Sequence, residues 1–187
     1  MTIADAADKG ISACLYSLCI RSMLRSCYVE HDDIGTIMQH ANNLFYYDTK
    51  DTGMFVTALT AIFDPSTQQL TYCSCGHNPG FVRHTDGSIE TLTTEGLALG
   101  VEIFDVLHGK TTWLHSGDLV ILYTDGITEA HDKEYKMFGE QRLLEFIRHQ
   151  HDISIETMAD ALLTEIKTFS GPEAQHDDIT IMIMRVL

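Results

Sequence analysis

The sequence predicts an α+β fold of one domain, residues 1–187, and three observations carry that prediction. Apolar residues recur at helical spacing in two segments before residue 50 and in two after residue 138. Between them lie short runs rich in Val, Thr, Ile, Phe and Leu, separated by turns that contain Gly, Pro and Asp. Strands and helices do not alternate regularly, which argues against a doubly wound parallel sheet and for layers of antiparallel strands and helices.

Met1 to Asp5 reads as a short strand, and Gly10 opens a helix running to about Cys27. Its apolar residues, Ile11, Cys14, Leu15, Leu18, Cys19, Ile20, Met23 and Leu24, cover more than one stripe. Most of that circumference is therefore expected to be buried, against a sheet, a partner helix or a second copy of the chain in a homodimer. Arg21 and Arg25, at i and i+4, read as its solvated edge. Asp33 is placed to cap a second helix whose apolar face is Ile34, Ile37, Met38, Ala41, Leu44 and Phe45. Asp51-Thr52-Gly53 ends it.

Met54 to Phe63 and Gln69 to Ser74 flank the turn Asp64-Pro65-Ser66-Thr67 and form a hairpin. Phe81 to His84 and Ser88 to Leu92 flank Thr85-Asp86-Gly87 in the same way. Val106 to Leu114 and Leu119 to Thr124, around Ser116-Gly117-Asp118, are expected to pair as a third antiparallel unit. Two helices follow, Glu140 to His149 and Ile155 to Phe169, and then a closing strand from Ile179 to Val186. Trp113 and the methionines read as core.

A formal net charge of -15 argues against nucleic acid and against an anionic membrane surface as partners. The apolar runs fall far short of the roughly 20 residues that span a bilayer, and Met1 is not followed by a signal segment. The expectation is a soluble, cytoplasmic chain. Five cysteines, at 14, 19, 27, 73 and 75, show neither disulfide-framework nor zinc-ribbon spacing and read as reduced, packed thiols. His149 and His151 are two apart at a helix end, poor geometry for chelation, and His77, in Gly76-His77-Asn78-Pro79, reads as a loop histidine satisfying nearby backbone.

The chemistry lies in acids at the ends of apolar runs. Leu119 to Tyr123 reads as a strand buried on both faces, delivering Asp125 onto a turn where Gly126 lets the backbone bend. Asp5 follows a short apolar entry, and Asp177-Asp178 immediately precedes the closing strand. Carboxylate oxygens, backbone carbonyls and water are the ligands of Mg²⁺ and Mn²⁺. Asp5, Asp125 and Asp177 together suit such a site, with Asp178 either ligating or orienting its neighbour. Two ions bridged by a carboxylate and a water would supply a hydroxide and clamp a phosphoryl group, with no protein nucleophile needed. Lys9, beside Asp5, is either solvated or placed to meet a phosphate.

The same segments carry a resemblance. Ile3 to Ile11, IADAADKGI, resembles the "GDVSGKG" or "DVADKG" segment of SpoIIE/RsbU-type bacterial phosphatases, a branch of the metal-dependent PPM Ser/Thr phosphatases. Gly53 to Thr57 resembles their "GMFVT" strand, Gly76 to Pro79 their "GHNP" loop and Tyr123 to Glu129 their "YTDGVTEA" segment. Phe138-Gly139-Glu140 is similar to their "FGEERL" helix start, and Asp177 to Thr180 to their "DDIT" ending. The match runs through nearly the whole chain in order.

The resemblance implies an αββα sandwich of two antiparallel sheets flanked by helices. It implies a site of two Mn²⁺ or Mg²⁺ ions, with Asp5 bridging, the Ala6 carbonyl on the second ion, and Asp125 and Asp177 on the first. It implies hydrolysis of phosphoserine or phosphothreonine on a protein, the usual partners being phosphorylated anti-anti-sigma proteins of the STAS fold, in sigma-factor regulation. It also implies two strands and a further acid ahead of the first helix that this sequence lacks. That lack motivates the alternative of a partner-binding, regulatory domain of the same fold without turnover. A divalent-metal phosphoesterase for small molecules is a remoter reading.

Overall fold

The computed structural model describes residues 1–150, 153–173 and 175–187, so His151 lies outside the described residues. The chain divides into two compact units, residues 1–79 with 92–114, and 80–91 with 115–187. Each has its own antiparallel four-stranded sheet, its own pair of helices and its own apolar core.

The first unit contains β1 (Thr2–Ala6), α1 (Ile11–Glu30), α2 (Ile34–Thr49), β2 (Val56–Asp64), β3 (Gln69–Cys75) and, after an excursion of the chain, β6 (Lys110–Trp113). The strand order is β1-β2-β3-β6, with Asp5 opposite Thr57 and Leu59 opposite Ser74. Asp33 caps α2 as expected, its Oδ2 accepting from the Thr36 amide at 2.7 Å. Ile34, Ile37, Met38, Ala41 and Phe45 are buried against β-strand residues Val56, Ala58, Cys73 and Cys75. Leu44, placed on the same face by spacing, is instead 54% exposed. Asn42 is fully buried because it replaces missing backbone pairs: its Nδ2 donates to the Glu102 carbonyl, and its Oδ1 accepts from the Gly100 amide, each at 2.8 Å.

Helix α1 corrects the expectation of near-complete burial. Ala13, Ile20, Leu24 and Cys27 are buried, but Ile11, Leu15 and Leu18 are 81%, 57% and 52% exposed. A single helix can lay only one face on its own sheet and on α2, and among the described residues nothing covers the other. Cys14 and Cys19 lie on that open side, so only Cys27, Cys73 and Cys75 are packed thiols. Hydrogen bonding with Cys73, and then burial, push the Cys75 thiol far above its ordinary range.

The second unit contains β4 (Gly80–Arg83), β5 (Ile89–Leu92, its last residue falling in the first unit), β7 (Leu119–Tyr123), α3 (Gly139–His149), α4 (Ile155–Ser170) and β8 (Ile181–Arg185). The order is β5-β4-β7-β8. Every residue of β7 is buried, as its unbroken apolar run demands of a strand with neighbours on both sides. Leu143, Phe146 and Ile147 of α3, and Met158, Leu162 and Ile166 of α4, complete this core. Ser154 caps α4 by accepting from the Thr157 amide at 3.1 Å, and Gly171 ends it at φ 63°.

The third expected hairpin does not form. β6 pairs with β3 in one sheet, whereas β7 pairs with β4 and β8 in the other. The reason is Asp118, which sequence reading treats as a turn residue. Its carboxylate is completely buried and accepts from the amides of His115 and Thr85 and lies 2.9 Å from His84 Nδ1. Gly117, at φ 95°, donates to the Val186 carbonyl, while Val186 donates back to that of Asp118. The segment after β6 is thus pinned to the β4–β5 turn and to the end of β8 rather than folded back on β6. Trp113 is a second correction: on β6, at the edge of its sheet, only Thr112 faces inward, and Trp113 is 57% exposed. Met137, 58% exposed, departs from the core reading as well.

Candidate metal centre

In the second unit, β7 ends at Tyr123, and Thr124 joins it to the segment before β8. The Thr124 amide donates to the Thr180 carbonyl at 3.0 Å, its Oγ1 donates to the Asp178 carbonyl at 3.0 Å, and the Thr180 amide donates to Oγ1 at 2.9 Å. One buried threonine therefore holds Asp125 and Asp177-Asp178 in register. The sequence signal was only its place in YTDG.

Gly126 acts differently from its sequence-based role. It is not among the glycines with positive φ. Its requirement is close approach: a Cβ there would overlap the Asp178 carbonyl oxygen and sit 3.0 Å from that carbonyl carbon. Gly126→Ala is accordingly expected to push Asp177-Asp178 away from Asp125, at a cost of about 1–3 kcal/mol. Urea unfolding measures the stability loss and Mn²⁺ titration the accompanying fall in affinity.

After the turn, the Asp125 carbonyl accepts from the Glu129 amide at 2.8 Å and from Thr128 Oγ1 at 3.2 Å, which fixes the Asp125 backbone. Its Oδ1 is buried and has no hydrogen-bond partner among the described residues. A buried carboxylate oxygen left this way is costly, and a cation is the group that satisfies it. Asp177 Oδ1 accepts from the Asp178 amide at 2.9 Å, and Asp178 itself is exposed.

Asp5 and Ala6 lie in the first unit, on β1 at the edge of its sheet. Asp5 is half-buried opposite Thr57, whose Oγ1 donates to the Asp5 carbonyl at 3.4 Å and lies 2.8 Å from His77 Nδ1. His77 is buried, and Gly76 beside it has φ 67°, with the Ala98 amide nitrogen 2.8 Å from where a Cβ would be. The histidine thus braces Thr57, the register partner of Asp5. Asp8 adopts φ 69° and takes the Lys9 amide on its Oδ1 at 2.8 Å.

The structure thus gathers Asp125, Asp177 and Asp178 in one unit and places Asp5 and Ala6 in the other. Among the described residues no group of three or more His, Cys, Asp or Glu side chains is arranged to hold a metal ion. The donors present are the hard oxygens suited to Mg²⁺ or Mn²⁺, and the orphaned Asp125 oxygen fits that chemistry.

The profile of Stage II sporulation protein E (SpoIIE) matches residues 1–187. The chain belongs to the SpoIIE family. Phosphoserine phosphatase RsbU of Bacillus subtilis (strain 168) is 28% identical over 191 residues, covering 99% of this chain and 55% of RsbU. Protein IcfG of Synechocystis sp. is 27% identical over 208 residues, covering 97% of the chain and 33% of IcfG. This SpoIIE-family chain therefore spans about half and one third of those two proteins.

Among solved structures, the SiaA-PP2C domain of Pseudomonas aeruginosa superposes with a TM-score of 0.87 at 20% identity, covering 98% of this chain and 74% of that one. RsbX in complex with magnesium gives 0.71 at 20% identity, covering 97% and 78%. The α+β fold with two antiparallel four-stranded sheets and four helices is PP2C-like. No helix among the described residues is long and apolar enough to cross a membrane.

Proposed function

We propose that this SpoIIE-family domain hydrolyses phosphoserine or phosphothreonine on a signalling protein, an anti-anti-sigma factor of the STAS type, with Mn²⁺ or Mg²⁺ as cofactor. The observation that carries the reading is the buried, unpartnered Oδ1 of Asp125 on a turn shared with Asp177-Asp178. The family match over the full chain, the likeness to RsbU and the magnesium complex of RsbX support it.

In this reading Asp125 and Asp177 hold one ion, Asp178 ligates or steadies Asp177, and Asp5 with the Ala6 carbonyl provides the remaining ligands. The bound ions would lower the pKa of a water and neutralise phosphoryl oxygens. The chain's own contribution is to hold the carboxylates in place: Thr124 locks the Asp178 carbonyl, and His77 braces Thr57 opposite Asp5. Neither arrangement supplies a protein nucleophile.

The test is hydrolysis of p-nitrophenyl phosphate and of a phosphoserine peptide with and without Mn²⁺. Metal-dependent turnover of both is expected. Binding of the peptide with no turnover at any metal concentration would identify instead a partner-binding domain of the same fold.

A further inference from the structure

Strand β3 ends in two buried thiols that the proposed reaction does not use. Cys73 and Cys75 alternate with Ser74, so both face the core beneath α2, and both are fully buried. The two touch each other. The Cys75 thiol donates to the Cys73 sulfur, and that bond, foremost, holds the Cys73 thiol below its ordinary range. The Cys73 thiol in turn donates to the His108 carbonyl at 3.9 Å, and Thr94 Oγ1 lies 4.0 Å from its sulfur. Cys73 is thus the more readily ionised of the pair, and the thiolate is the nucleophile.

Thr94 and His108 also line a surface cavity of about 750 Å³, together with Gly96 and Leu107. Thr94 is half-buried, and Gly96 and His108 are exposed. One layer of residues therefore separates Cys73 from solvent, and a reactant little larger than water has a short path to it. The ladder is interrupted at Cys75: Leu59 is opposite Ser74, and the next bridge joins Ala58 to Gly76, so Cys75 has no register partner in either neighbouring strand. A strand bends where a residue is left over. Two residues along a straight strand span roughly 6.4–6.8 Å, the long end of the range of about 4.4–6.8 Å over which disulfides join Cα atoms, and bending at Cys75 shortens that gap. Beyond Cys75 come Gly76, at φ 67°, and the buried His77, whose Nδ1 lies 2.8 Å from Oγ1 of Thr57, the residue opposite Asp5.

We propose that Cys73 and Cys75 form an oxidation site that a small hydroperoxide closes to a disulfide, and that closure loosens the hold of His77 on Thr57, the strand partner of Asp5. The second half rests on the metal-centre reading above. With hydrogen peroxide, the Cys73 sulfur bonds to one oxygen, the O–O bond breaks, and the other hydroxyl leaves as water with the Cys73 proton. The Cys75 sulfur then bonds to the sulfenic sulfur, the S–O bond breaks, and that hydroxyl leaves as a second water with the Cys75 proton. The two thiols together lose two electrons, and the peroxide gains them. Because Cys73 is paired with Thr60 and Cys75 has no such pair, the end that moves is Cys75, and Gly76 and His77 follow it.

The test treats the whole chain with hydrogen peroxide and maps its thiols by mass spectrometry. Trypsin, cutting after Lys50 and Arg83, releases residues 51–83, a peptide whose only cysteines are these two. Apart from any oxygen taken up by Met54, that peptide should become lighter by two hydrogens, and dithiothreitol should restore it. Mn²⁺ affinity, by calorimetry, should fall about tenfold on oxidation, the scale of losing a group that orients a ligand, and recover on reduction. Cys75→Ala, which cannot close the bridge, should keep its affinity through the same treatment. The His77 ring resonance, by NMR, should move on oxidation with no metal present. Retention of both thiols under peroxide that oxidises the exposed Cys14 and Cys19 overturns the site. A disulfide that leaves the His77 resonance and Mn²⁺ affinity unchanged overturns the coupling to Asp5. A disulfide that moves the His77 resonance, in a chain that binds no Mn²⁺ in either form, leaves the oxidation site standing and overturns the metal-centre reading.

Discussion

Asp125→Asn is expected to lower Mn²⁺-dependent turnover of a phosphopeptide by more than a hundredfold, beyond the roughly 10–100-fold typical of losing a group that merely orients a metal ligand. The reason is visible without the ion: Asp125 Oδ1 is buried and unpartnered, while its backbone is fixed by Glu129 and Thr128. The same feature gives a readout independent of catalysis. In the metal-free chain this carboxylate is a cost, so asparagine should leave stability unchanged or raise it slightly. Mn²⁺ at about 100 times its Kd stabilises by roughly 2.7 kcal/mol, which for a chain of this size raises Tm by roughly 5–10 °C. The wild type should show that rise and Asp125→Asn should not. Equal metal-induced shifts, with equal calorimetric isotherms, would remove Asp125 from the site.

Asp118→Ala is expected to cost about 3 kcal/mol, the largest stability loss from any single carboxylate described above. Two backbone amides, His115 and Thr85, lose a buried charged acceptor, and each such loss is worth about 1–3 kcal/mol. His84 contributes less because its half-open ring can turn to water. Asp118→Asn keeps one oxygen and should lose roughly half as much. Urea denaturation with an unchanged m-value checks both. A drop under about 1 kcal/mol for the alanine variant would mean that the segment between β6 and β7 is held by the Gly117–Val186 backbone pairs alone.

The two carboxylates also show which parts of this protein the sequence exposes. Asp125 stands out because an apolar strand leads to it and a glycine follows it, a pattern that spacing alone conveys. Asp118 sits in Ser116-Gly117-Asp118, and that string is equally an ordinary turn. What distinguishes it is burial against Thr85 and His84, more than thirty residues earlier, and no local pattern encodes such a contact. The same limit explains β6 and β7: adjacency in sequence favours a hairpin, whereas long-range pairing with β3 and β4 decides the matter.

Helix α1 failed in the opposite sense, since its apolar residues are real but hydrophobicity does not say what covers them. The helix boundaries, the caps at Asp33 and the hairpins β2–β3 and β4–β5 depended on local chemistry and were legible. The close approach at Gly126 was not, because a glycine needed for room is spelled like one needed for a turn.

The interleaving of the two units has a consequence for how the chain acquires its structure. The β4–β5 hairpin, residues 80–92, is synthesised inside a stretch whose flanks both belong to the other unit. Phe81 and Val82 leave the ribosome before β7, α3 and α4 exist to bury them. Strand β1 likewise waits for β2, since Thr2 pairs with Thr60. The first unit closes only when β6 arrives, and the second only when β8 pairs with β7. Such long-range closures slow folding and leave strand edges bare in the meantime. During synthesis the hairpin therefore carries apolar side chains that nothing yet covers, a stretch that a chaperone would protect.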